Sequence, residues 1–157
     1  MNTLFNRSLM LVLLFVSSFS NALEGPYESI YIGGVSMHCT TAQNQRAAIY
    51  IDPSVNDYIG IAYNNGFPNI HLGPGFFNSV PGVVGQFWFL HECAHHVVGS
   101  NEANADCFAI RNMRNLGLMN NHNQVSALIS QMHHLQGSYT RLPGPQRVLN
   151  VLNCFNS

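Results

Sequence analysis

The reading of this chain turns on residues 91–110, HECAHHVVGSNEANADCFAI. Upstream of it, GVVGQFWFLHECAHHVV carries apolar residues on nearly all sides, the mark of a helix buried in a core. Val80-Pro81-Gly82 starts that helix, with proline tolerated in a first turn, and Gly99 ends it. Ser100 or Asn101 can cap a second helix at once, running through ANADCFAIRNMRNLG to Gly117. Two helices joined by so short a glycine turn must lie against each other.

Helical positions four apart share a face, so His91 and His95 direct their rings at one point. This is the HExxH spacing, which arises by chance in roughly one chain in a hundred of this composition. Glu92 is offset around the helix, where its carboxylate reaches a metal-bound water without binding the metal. A catalytic zinc takes three protein ligands and keeps one open position. Glu102, in the first turn of the second helix, is the expected third ligand. Asp106, one turn further on, is placed to accept the other ring N–H of a ligating histidine. The remaining histidines, His38, His71, His96, His122, His133 and His134, read as surface, strand or packing positions.

His91-Glu92-Cys93-Ala94-His95 followed by Glu102-Ala103-Asn104-Ala105-Asp106 resembles the gluzincin metallopeptidases, in particular the minimal gluzincins and the CAAX-prenyl-protease-like group. The resemblance is tight over residues 86–110 and loose elsewhere. It implies one zinc on His91, His95 and Glu102, Glu92 as base and acid, and Asp106 behind a histidine. It also implies an edge strand above the active-site helix that holds extended substrate. Asn69, Ile70, His71 and Leu72 are the segment matched to it. A late HP-x-x-x-R-like segment has a degraded counterpart here, with Arg141 where a histidine stands and Arg147 at its end. Arg147 and Tyr139 are then the candidates for contacting the transition state or substrate. The gap from His95 to Glu102 is shorter than gluzincins usually have.

Outward from this centre, YIGGVSMHCT, Ala47–Asp52 and Pro68–Gly73 read as strands, after a short lead-in at residues 23–31. Asn64-Asn65-Gly66 is a turn, and Pro68, which cannot donate to a ladder, suits an edge. A third helix is expected over Asn123–His134 and a short last one over Gln146–Cys154. Strands first and helices afterwards predict an α+β fold: a short mixed sheet, an edge strand over the HExxH helix, and a helical C-terminal part.

Residues 1–22 have the form of a secretory signal, with a lone Arg7, the apolar run Leu9–Val16 and Ser20-Asn21-Ala22 as a cleavage site. They are excluded from the domain, which is expected to be single and to occupy residues 23–157, exported and without a stable membrane anchor. All four cysteines fall in that part, an even count that favours two disulfides. The expected pairs are Cys93–Cys107, on neighbouring helices, and Cys39–Cys154, tying the ends. Only 8% of residues are charged and there is no lysine, so nothing resembles a basic surface for nucleic acid. The expected function is an exported zinc peptidase acting on peptide or protein substrates. Its rivals are a non-catalytic zinc clip with a fourth ligand from His71 or His133, and a zinc amidase or cell-wall hydrolase.

Overall fold

The computed structural model describes residues 22–55, 60–77, 81–135 and 142–157. Residues 1–21, with nearly all of the expected signal, lie outside the described residues, as do Tyr139 and Arg141. The described chain is α+β. Six short strands come first: β1 Glu24–Tyr27, β2 Ile30–Ile32, β3 Val35–Met37, β4 Ala48–Ile51, β5 Gly60–Asn64 and β6 Pro68–Leu72. A 3-10 turn at Pro74–Phe77 leads to four helices: α1 Gly82–Val98, α2 Glu102–Asn115, α3 His122–His133 and α4 Gly144–Asn156.

The helix boundaries follow the capping signals. Gly99 takes φ 81° and releases the chain from α1. Asn101 then caps α2, its side chain accepting from the Asn104 N–H at 2.9 Å. Asn121 caps α3 in the same way at 3.0 Å. α4 starts two residues earlier than expected, because Pro145 is as well tolerated in its first turn as outside it.

The strands depart further from expectation. YIGGVSMHCT is a hairpin, β2 and β3, turning at Gly33-Gly34, where both residues have positive φ. The lead-in contains β1, which pairs antiparallel with β4. β5 has no counterpart among the expected strands. The main sheet has the order β1-β4-β6-β5, with β4 and β6 parallel and β5 and β6 antiparallel. The segment Asn69, Ile70, His71, Leu72 is therefore an interior strand, and β5 is the edge beside it, with β1 at the other edge. Pro68 does not bar β6 from the interior. It is the strand's first residue, and the ladder to β4 begins only at Asn69.

Ile49, Ile70 and Leu72 project from one face of the sheet into the core, where α1 contributes Val84, Phe87, Phe89 and Leu90. α2, α3 and α4 complete it with Ile110, Met113, Leu128, Met132 and Val151. This packing makes α1 a buried central helix, as its all-round apolar pattern implies.

The disulfides are Cys39–Cys93 and Cys107–Cys154, with Cα–Cα separations of 5.4 and 5.2 Å. Both expected pairs are thus corrected. Cys93 stands two residues from each of His91 and His95, about 200° around the helix, so it faces away from α2. It meets Cys39 beyond β3 instead, and Cys107 meets α4. Two disulfides fit an oxidising compartment. Among the described residues no helix is long and apolar enough to cross a membrane.

Candidate metal centre

Buried α1 and the first turn of α2 bring His91, His95 and Glu102 together, with one ligand atom from each lying within 4.8 Å of the others. His91 Nε2 is 3.2 Å from Glu102 Oε2, and His95 Nε2 is 3.7 Å from Glu102 Oε1. Tetrahedral donors about 2.0–2.1 Å from a zinc stand roughly 3.3 Å apart, so these spacings bracket what such an ion requires. Side-chain exposure is 1% for His91, 17% for His95 and 11% for Glu102. The group is recessed but reachable. It could hold a metal ion.

The orientation of both imidazoles is fixed from behind. His91 Nδ1 lies 2.8 Å from Asp106 Oδ1, and His95 Nδ1 lies 2.9 Å from the Gly99 carbonyl oxygen. Oxygens of these kinds can only accept, so each Nδ1 carries a hydrogen, and in the neutral ring each Nε2 keeps the lone pair that a metal ion would take. The same glycine that ends α1 therefore also supplies the carbonyl that orients His95.

Burial by itself disfavours protonated His91, but the hydrogen bonds to Asp106 and then Glu102 outweigh it and raise its pKa. Trp88 packs edge-on against His91, with ring centroids 5.5 Å apart. His96, the third histidine of the run, turns away from the group. Its Nε2 is 3.1 Å from the Asn69 carbonyl oxygen, and burial lowers its pKa.

Glu92 is 6% exposed and stands outside the group of three. Its Oε2 accepts the Ala62 backbone N–H at 3.0 Å, so the edge strand β5 passes directly over it. A Cβ added at Gly60 would fall 2.8 Å from Glu92 Cγ, which shows how closely strand and side chain approach.

Other candidates fall elsewhere. Arg147 is 3% exposed and grips Asp106 with its fork, and its Nη2 also lies 3.4 Å from His91 Nδ1 and 3.8 Å from Glu102 Oε2, at the inner side of the group. Tyr139 lies outside the described residues. His71 bonds Asp52 through Nδ1 at 2.6 Å and sits between the Tyr50 and Tyr63 rings. His133 stacks edge-on with His134. Neither His71 nor His133 joins the metal group. Sequence reasoning misses Gly60 and Ala62 because β5 is short and glycine-led. The Asn64-Asn65-Gly66 turn is the available signal, since a hairpin turn before β6 requires a strand ahead of it.

Comparison with protein-family models, with curated proteins and with solved structures finds no match to this chain.

Proposed function

We propose that this chain is an exported zinc-dependent peptidase whose site resembles that of the minimal gluzincins. The observation that carries the reading is the convergence of two oriented imidazole Nε2 atoms and one carboxylate, beside a further carboxylate that the sheet's edge strand overhangs. Two neutral imidazoles and one carboxylate are the donor set of many catalytic zinc sites, and three protein ligands leave a position open. A zinc held there supplies Lewis acidity, making water acidic near neutral pH and polarising a carbonyl.

The chain's own residues do the rest. Glu92 takes the proton of the attacking water and returns it to the leaving nitrogen. Asp106 and the Gly99 carbonyl keep both histidines in the ligating tautomer. The outer edge of β5 offers backbone groups to an extended peptide, which adds to the sheet as a further strand. This role passes to β5 from Asn69–Leu72. The scarcity of charge across the chain suits a neutral backbone substrate better than a strongly anionic polymer. The two disulfides agree with action outside the cytoplasm. Neither His71 nor His133 joins the metal group, so neither is the fourth ligand of a structural clip.

The test is Glu92→Gln, assayed with a denatured protein as substrate after zinc loading. Metal content should be unchanged and hydrolysis reduced by about 10²–10⁴-fold. Full activity in that variant would remove the mechanism.

A further inference from the structure

In an antiparallel pair, consecutive residues turn their backbone groups alternately toward the partner strand and away from it. Ala62 is opposite Ile70 but gives its N–H to Glu92, so it belongs to the outward-turned set of β5. Gly60 and Asn64, two residues to either side, belong to the same set. Gly60 also shares the Ala62 face, which looks toward α1, and the space where its side chain would lie is filled by Glu92 Cγ and Leu72 Cδ2, at 2.8 and 2.9 Å. Ile61 and Tyr63 occupy the opposite, partly exposed face, at 37% and 38%. The edge strand thus meets Glu92 twice, through a backbone donor at Ala62 and through a missing side chain at Gly60.

We infer that β5 positions Glu92: the Ala62 N–H holds one carboxylate oxygen, and Gly60 provides the room that lets the strand come close enough to do so. Both are positioning residues, since they act through Glu92. The inference rests on Glu92 being the base of the proposed peptidase and adds a constraint on its substrate. With the Ala62 N–H committed, an extended peptide pairs with the Ala62 carbonyl and the outward backbone groups of Gly60 and Asn64, and loses one bond at the centre of the ladder. Substrate side chains on the far face lie beside Ile61 and Tyr63, and an apolar or aromatic residue fits there.

Amide hydrogen exchange on the full isotope-labelled chain tests the contact without metal or turnover. An outward N–H on an edge strand with no acceptor exchanges rapidly. The Ala62 amide is expected to be protected in the wild type and to lose about tenfold or more of that protection in Glu92→Ala, the worth of a hydrogen bond to a charged acceptor. Glu92→Gln, whose amide oxygen can still accept, should restore it, while Ile61 and Tyr63 stay unchanged in all three. Equal exchange at Ala62 in wild type and Glu92→Ala would overturn the inference, whatever the fate of the peptidase reading. Gly60→Ala, zinc-loaded, should lose about tenfold or more in kcat with KM and metal content held. An unaltered kcat would overturn the role of Gly60. A chain that shows the exchange pattern yet hydrolyses no peptide would retain the contact and lose the peptidase.

Discussion

Arg147 holds Asp106 with a two-pronged grip, Nε and Nη2 each 2.6 Å from a different carboxylate oxygen. Asp106 Oδ1 is at the same time 2.8 Å from His91 Nδ1. The last helix is thereby linked to the metal group through a buried carboxylate, and Arg147 Nη2 also comes within 3.8 Å of Glu102 Oε2. The guanidinium also lies 4.8 Å from the centroid of the Trp88 ring, which packs on His91. Asn150 Nδ2, one turn further along α4, donates to the Ala103 carbonyl at 3.1 Å, and Cys154 closes the disulfide to Cys107. α4 is thus fastened along one side of α2, and its first turn lies behind the site.

Removing the arginine leaves Asp106, 1% exposed, as a buried charge without its principal partner. Arg147→Met should lower unfolding stability by about 3–5 kcal/mol, measured by urea denaturation of the metal-free chain. Arg147→Lys should recover only part of this, since an ammonium cannot reproduce the planar fork. A loss below about 1 kcal/mol would mean that Asp106 does not depend on that pair.

The disulfide connectivity is checked by non-reducing peptide mapping, which should recover Cys39 with Cys93 and Cys107 with Cys154. The bridge between Cys107 and Cys154 closes a separation of 47 residues, and loop entropy puts its removal at about 4 kcal/mol. Replacing both cysteines by alanine should produce a loss of that order, less any relaxation of the native state. A peptide linking Cys93 to Cys107 would refute the arrangement of α1 and α2.

The expected Cys93–Cys107 pair rests on the two helices being neighbours and leaves out the helical phase. His91 and His95 fall on one helical face and Cys93 on the opposite one, away from α2. The helices are legible, because Gly99, Asn101 and Asn121 are local signals acting within a few residues. The sheet is not. Whether β6 is central or an edge depends on where β5 lands, a non-local pairing that no short window contains. β1 is hidden for a different reason. Its sequence Glu24-Gly25-Pro26-Tyr27 has low strand propensity and forms a strand only because β4 is there to pair with it. The role of Arg147 requires knowing that α4 packs on α2.

Away from the metal group, Asp52 gives a pH-dependent signal. The Ser54 hydroxyl bonded to its carboxylate, and then His71, hold its pKa down from 3.8 to about 2. A carboxyl whose folded pKa is depressed stabilises the fold above its unfolded value and loses that contribution as pH falls through the folded one. Wild type should therefore exceed Asp52→Asn in stability above about pH 4, by an amount on the order of 1 kcal/mol or less. The gap should close between about pH 4 and about pH 2. Denaturant midpoints across that range decide it, and a gap that persists at the acid end would assign the effect to something other than ionisation.

Glu102, the proposed third ligand, is the residue on which the metal-centre reading depends most directly. His91 and His95 lie on one helix and offer two donors, which many exposed histidine pairs do without retaining an ion through purification. Glu102 adds a charged donor from a second helix, 3.2 Å from one imidazole nitrogen and 3.7 Å from the other. It therefore links metal binding to the docking of α2 on α1. Glu102→Ala should fold, since its side chain keeps 11% exposure and its backbone remains in the first turn of α2. Metal content per folded chain should be near one equivalent in the wild type and close to zero in the variant after dialysis. Thermal unfolding should agree: added zinc in roughly 100-fold excess over Kd stabilises a binding-competent chain by about 2.7 kcal/mol, and the variant should show almost no response. Equal metal in both proteins would place the third donor elsewhere, while no metal in either folded protein would mean that the histidine pair and Glu102 do not form a functional site.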